Sequence, residues 1–307
     1  MSFTARCLAV LVCCFAQVIA ARFSPAAEAA AAQSSPTLIK NLPYSEDAGD
    51  ARRSFDLYLP AKSNAKAPLL IFVHGGFWLL PDDEYRIGAS LAENLVKDGV
   101  AVALVRYRLA PAHRHPVQAQ DVASAVARLV RDADKYGIDP KRVFLSGHSA
   151  GGHLASLVAL DKTYLAEAKL PGDFIAGVIS FSGLYDLMPA WNVSSNQKVA
   201  TEKTFGNDPA IRKRASPVQH ARRDAPRFLI LNAIADFPGF ALDARRFADA
   251  LRAAGAKETH QHMFKGVDHF GIVKLDDENN AIRRTILGFM GGPRPTQTGV
   301  TAPGRSR

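Results

Sequence analysis

Six consecutive residues, Gly147-His148-Ser149-Ala150-Gly151-Gly152, hold the strongest chemical signal in the sequence. A serine with glycines two positions to either side fits a turn from strand into helix that is too tight for a Cβ at those two places. Such a turn lifts the hydroxyl clear of the sheet and aims it at the helix N-terminus. There the Ala150 N–H and the helix dipole stabilise developing negative charge. The chemistry is attack by Ser149 on a carbonyl carbon. A second run, His74-Gly75-Gly76-Phe77-Trp78, brings two glycines that let backbone N–H groups approach a carbonyl oxygen. Gly75, Gly76 and Phe77 therefore join Ala150 as candidate oxyanion-hole residues, with Gly76 and Phe77 as the leading donors of that loop. His74 reads as an anchor for the loop and Trp78 as either core or pocket wall. His148 and His153 flank the nucleophile as candidate pocket residues.

These residues need elements to hold them, and the chain supplies a strand–helix alternation from residue 54 onward. Residues 54–59 alternate and stop at Pro60, as a half-buried strand does. Residues 68–73 (PLLIFV) and 100–105 are continuous apolar runs of the kind covered on both faces. Residues 84–98 form a helix closed by Gly99. Val122, Val126, Leu129, Val130 and Ala133 mark one face of the next helix. Further strands fall at 142–145, 174–181, 227–235 and 259–264, with helices at 150–161, around 244–251 and around 282–289. This alternation predicts βαβ units and a mainly parallel sheet. The stretch 184–226 breaks the rhythm and reads as an insertion capping the sheet edge.

A nucleophilic serine needs a base, and the base needs an orienting carboxylate. The Gly147–Gly152 run resembles the nucleophile turn of the α/β-hydrolases, and that resemblance implies the chain order serine, acid, histidine, with each residue just beyond a strand. Asp236 ends the run 228–235, and His269 follows the last strand, so these two are the candidate acid and base. Asp243 is the runner-up acid, although its place fits the following helix. Asp268 adjoins His269 and reads as a solvated acid, because neighbours in sequence rarely face each other. His260 and His262 alternate on a strand with no third ligand evident, so no metal site is expected.

Composition narrows the classes. The 307 residues are 48% hydrophobic and 22% charged, an ordinary globular balance. The net charge of +9 raises the question of nucleic acid, but the basic residues occur as scattered pairs such as Arg52-Arg53 and Arg283-Arg284 rather than as a stripe. No nucleic-acid partner is expected. Arg6, an apolar stretch over 7–20 and Val18-Ile19-Ala20 have the form of a signal peptide, too short for a retained span. All three cysteines, Cys7, Cys13 and Cys14, lie within it, so the mature chain would carry no thiol. The expected organisation is a signal peptide at 1–20, a linker at 21–35, a catalytic domain at 36–290 with its cap insertion at about 184–226, and a disordered basic tail at 291–307. Export to a periplasm or to the medium follows, without stable membrane insertion.

From about residue 54 to 290 the chain resembles the α/β-hydrolase superfamily. It is most similar to the hormone-sensitive-lipase-like carboxylesterase branch, through Tyr107-Arg108-Leu109-Ala110-Pro111 and Ser216-Pro217-Val218. The HGGFW run departs from that branch's HGGG and resembles the HGGxW of arylformamidases (kynurenine formamidases), as does Ser182-Gly183-Leu184-Tyr185-Asp186-Leu187. The resemblance implies an α/β fold with an eight-stranded, mostly parallel sheet flanked by helices and a small cap. It also implies Ser149, Asp236 and His269 as nucleophile, acid and base, and no cofactor. Trp78, His148, Trp191 and Phe270 are candidate substrate-binding residues. The expected activity is hydrolysis of small or aryl carboxylic esters. The alternatives are deformylation of an aryl formamide and a non-catalytic binding protein on the same frame.

Overall fold

A computed structural model describes residues 35–45, 50–63, 65–80, 83–171, 173–188, 195–277 and 280–291. The signal peptide, most of the linker, all three cysteines, Trp191 and nearly all of the basic tail lie outside these described residues.

The apolar runs form one eight-stranded sheet. Its strands are β1 (Thr37–Pro43), β2 (Ser54–Leu59), β3 (Ala67–Val73), β4 (Ala101–Val105), β5 (Ile138–His148), β6 (Gly177–Phe181), β7 (Arg227–Ala235) and β8 (Thr259–Asp268). The spatial order is β1-β2-β4-β3-β5-β6-β7-β8. β2 runs antiparallel to both β1 and β4, and every other pair is parallel. The expected mostly parallel sheet is what the structure shows. β3, β4 and β6 are buried almost throughout, because helices cover both faces and a continuous apolar run is the pattern that suits such strands.

The helices are α1 (Asp83–Leu95), α2 (Val117–Arg131), α3 (Ala150–Leu160), α4 (Lys162–Glu167), α5 (Ser195–Phe205), α6 (Pro209–Arg214), α7 (Phe240–Ala253) and α8 (Ala281–Phe289). They divide the core in two. On one face, α2, α3 and α7 contribute Val122, Leu129, Leu154, Val158, Phe247 and Leu251 against Ile71, Val143, Leu145 and Val178. On the other, α1 and α8 contribute Leu91, Leu95, Ile286 and Phe289 against Leu70, Phe72, Phe144 and Ile179. α3 is buried along its whole length, so it sits under the insertion as a central post.

The insertion contains α5, α6 and a short turn at Pro217–His220. Its described part is docked on the body. Phe205 is buried against Trp78, His153 and His115 at centroid distances of 4.9, 5.5 and 5.2 Å. The His115 N–H donates to the Thr204 carbonyl at 3.0 Å. Arg222 donates to the carbonyls of Ala159 and Leu160, which end α3.

Candidate active site

Strands β3 to β8 all point the same way, so their C-terminal ends lie along one edge. In open α/β sheets that edge is where ligands bind. Each predicted chemical residue follows one of those strands: His74 to Trp78 follow β3, Ser149 follows β5, Asp236 follows β7 and His269 follows β8.

Ser149 has φ 53° and ψ −118°, a backbone conformation that costs a non-glycine residue about 1–3 kcal/mol. Its N–H donates to the Phe181 carbonyl at 2.9 Å, and its carbonyl accepts from the His153 N–H at 3.1 Å, so the strained turn is fixed from both sides. The close approach is real. A Cβ on Gly147 would fall 2.3 Å from the Gly151 oxygen, and one on Gly151 would fall 2.0 Å from the Val73 oxygen. The first turn of α3 is thereby pressed against the end of β3, which brings Ala150 beside the 74–78 loop.

That loop has three residues in succession at positive φ: Gly76 at 86°, Phe77 at 54° and Trp78 at 60°. Its carbonyls are turned away and tied down. Tyr107 Oη donates to the oxygens of His74 and Gly75 at 3.2 and 3.0 Å, and His74 Nδ1 donates to the Gly75 oxygen at 3.0 Å. The His74 and Tyr107 rings stack at 4.4 Å. His74 is thus an anchor of the loop, as its position implied. Tyr107, singled out in the sequence only as part of Tyr107-Arg108-Leu109-Ala110-Pro111, is the second anchor.

The structure brings the candidate acid and base together. His269 Nδ1 donates to Asp236 Oδ1 at 2.6 Å, with both side chains almost fully buried. With the proton on Nδ1, Nε2 is the acceptor nitrogen of the imidazole. The Phe237 N–H donates to the same Oδ1 at 2.9 Å. Ser182 Oγ donates to Oδ2 at 2.5 Å, joined by Asn232 Nδ2 at 3.3 Å. Burial pushes the Asp236 carboxyl up, but the hydrogen bonds from His269 and Ser182, the His269 charge and the Asn232 amide outweigh it and hold the carboxyl below its ordinary value.

His148 is fully buried. Its Nε2 donates to the His269 carbonyl at 2.8 Å, and the two rings lie 4.6 Å apart. It reaches the site as a brace between the serine turn and the histidine loop. Phe237, Phe240 and Phe270 surround His269 at 4.3, 5.1 and 5.2 Å. Phe270 is 41% exposed beside the His269 ring.

Trp78 requires a correction to the pocket-wall expectation. It is 0% exposed, and its indole N–H donates to His153 Nδ1 at 3.2 Å. His153 Nε2 in turn donates to the Ala215 carbonyl at 2.7 Å. Burial pushes His153 down to about 3, so the ring stays neutral and holds this tautomer. Trp78 therefore joins the 74–78 loop to the insertion instead of offering an exposed face. Large aromatic side chains carry their apolar area inward when their polar atom finds a buried partner.

The alternative acids settle elsewhere. Asp243 lies in the first turn of α7 and accepts from the Tyr185 N–H at 2.7 Å. Asp268 accepts from the N–H groups of Phe270 and Gly271 at 3.1 and 2.6 Å and closes the turn that carries His269. His260 bonds Glu258. Among the described residues no three His, Cys, Asp or Glu side chains are grouped to hold a metal ion, and no helix is long and apolar enough to cross a membrane.

Comparison with known proteins gives concordant matches. The BD-FAE family model matches residues 55–238. Kynurenine formamidase of Danio rerio is 31% identical over 266 residues, which cover 85% of this chain and 84% of that protein. Esterase LipC of Mycobacterium tuberculosis is 32% identical over 224 residues, 68% of this chain and 54% of LipC, so the chain spans about half of that relative. Among solved structures, esterase B from Lactobacillus rhamnosis superposes with a TM-score of 0.70 at 24% identity, covering 93% of this chain and 94% of that one. The shared fold is that of the α/β-hydrolases.

Proposed function

The chain belongs to the BD-FAE family, and on that footing we propose that it is a serine hydrolase of small or aryl carboxylic esters. One observation carries the reading: a strained Ser149 on a strand-to-helix turn stands on the same sheet edge as an Asp236–His269 pair bonded at 2.6 Å.

In this reading His269 Nε2 takes the proton of Ser149 Oγ as the oxygen attacks the ester carbonyl carbon. The N–H groups of Gly76, Phe77 and Ala150 receive the oxyanion, each such donor contributing about 3–4 kcal/mol to the transition state. Asp236 keeps His269 in the Nδ1–H tautomer and stabilises the imidazolium. His269 then protonates the leaving alkoxide, so that the C–O bond breaks and the acyl group stays on Ser149. Water, deprotonated by His269, attacks the acyl-enzyme; the carboxylic acid leaves and Ser149 is restored. The signal-peptide form of residues 1–20 supports placing the enzyme outside the cytoplasm.

Deformylation of an aryl formamide such as N-formylkynurenine is the second reading, favoured by the HGGFW run and the 31% identity to the Danio rerio formamidase. A panel of p-nitrophenyl acetate, p-nitrophenyl butyrate and N-formylkynurenine separates the two, with Ser149→Ala as control. Ester turnover far above deformylation supports the esterase. The reverse order replaces it with the formamidase, and no turnover of any member leaves a binding protein on the same frame.

A further inference from the structure

Ser182 is a residue that catalysis by three side chains leaves without a role, and its geometry is unusual. It stands directly after β6, fully buried, with φ 46°. Glycine would adopt that backbone without strain, yet the chain keeps a side chain there. The Ser182 N–H donates to the Leu231 carbonyl at 2.7 Å, which fixes the residue to the neighbouring strand β7, and its Oγ reaches Asp236 Oδ2 at 2.5 Å. Tyr185, three residues on, is held as firmly. Its Oη donates to Ser180 Oγ at 2.7 Å, its ring stacks on Phe247 at 4.2 Å, and its N–H donates to Asp243.

We propose that Ser182 is a positioning residue for the reaction: its hydroxyl occupies the far oxygen of Asp236 and thereby fixes which carboxylate oxygen meets His269. The inference rests on the assignment of Asp236 and His269 made above. A carboxylate on a single Cβ–Cγ bond turns readily and can offer either oxygen. Here each oxygen has its own donors. Oδ1 takes His269 Nδ1 and the Phe237 N–H, while Oδ2 takes Ser182 Oγ and, at longer range, Asn232 Nδ2. The short Ser182 contact is the firmer of the two on Oδ2. Without it the carboxylate turns, the imidazole follows, and Nε2 loses its line to Ser149 Oγ.

The hydroxyl also draws negative charge away from Asp236. Its removal leaves the carboxylate presenting more charge to the imidazolium, so the base holds its proton to higher pH. A residue serving only the packing of the loop would not produce that change.

The test is a cycle of Ser182→Ala, Asp236→Ala and the double variant on the whole chain, reading kcat and KM for p-nitrophenyl acetate and the pH profile of kcat/KM. Fluorophosphonate labelling rates replace kcat where turnover is too slow. Ser182→Ala is expected to lower kcat about ten- to a hundredfold, with KM within about threefold. The acid limb of kcat/KM should move up by several tenths of a pH unit. In the Asp236→Ala background the same substitution should cost less than about twofold, since its route to the base is gone. Ser182→Gly suits φ 46° and should show the same loss in a stably folded protein. Wild-type turnover in both Ser182 variants beside an inactive Asp236→Ala overturns the inference and leaves the functional reading standing. An equal loss in both backgrounds also overturns it. Wild-type turnover in Asp236→Ala overturns the functional reading itself.

Discussion

Replacing Gly151 by alanine tests how closely the fold and the chemistry are joined. The new Cβ would lie 2.0 Å from the Val73 oxygen and 2.4 Å from the His74 oxygen, both main-chain atoms that no rotamer change can move. Non-bonded contacts of a Cβ stay above 3.0 Å, so the N-terminus of α3 and the end of β3 must part by at least 1.0 Å, the difference between 3.0 and 2.0. That displacement falls across the proposed oxyanion donors, separating Ala150 from Gly76 and Phe77. A misplacement of about 1 Å costs about a hundredfold in rate, or about 2.7 kcal/mol in the barrier. Overpacking adds about 1–3 kcal/mol of lost stability. The assay is kcat for p-nitrophenyl acetate per folded molecule, beside thermal unfolding. Gly177→Ala is the control. Its Cβ would meet the Phe289 ring at 2.8 Å, at the start of β6 and away from the site edge, so it should lower Tm while leaving kcat unchanged. A Gly151→Ala variant with wild-type kcat and Tm would show that the close approach of α3 to β3 sets neither rate nor stability.

Three further outcomes rest on particular contacts. Asp236→Asn removes the acceptor of His269 Nδ1 and should lower kcat about 10⁴-fold with little change in KM, by steady-state kinetics. Trp78→Phe leaves His153 Nδ1 buried without its donor and should cost about 1–3 kcal/mol in urea unfolding. Its KM should stay as in the wild type, because the ring faces the core. Asp243 is pushed up to about 7 by burial, so between about pH 4 and about pH 7 the folded chain holds a proton that the unfolded chain has released. Stability from this group therefore falls as pH rises through that window, by up to about 1.4 kcal/mol per pH unit. Asp243→Asn, whose amide oxygen still accepts from Tyr185, should flatten the slope of the unfolding free energy against pH.

Much of the frame is legible in the sequence because its signals are local. The apolar runs of β3, β4 and β7 and the glycines around Ser149 are short-range patterns, and all fall where the sequence places them. β1 leaves no such pattern because it is an exposed edge strand with a bulge between Ile39 and Leu42, so burial imposes no alternation on it. α4, α5 and α6 are equally hard to read because they lie in or beside the insertion, where helices are held by a few anchors such as Phe205 and not by a full apolar face. Among the candidate chemical residues, Ser149 is marked by its flanking glycines, and Asp236 and His269 by chain order and their places just after strands. Their supports are harder. Asn232 is a lone amide inside an apolar strand, and that is a usable signal. The Ser182 contact joins residues 54 apart in sequence, and the Trp78–His153–Ala215 chain joins three segments, so neither leaves a local pattern.

The most direct measurement is fluorophosphonate labelling of the purified protein, with the modified peptide identified by mass spectrometry. One label per chain is expected, on Ser149, with loss of p-nitrophenyl acetate hydrolysis in step with labelling, and neither label nor hydrolysis in Ser149→Ala. A Ser149→Ala variant that still hydrolyses the ester at the wild-type rate, or a label carried by a different residue, would contradict it.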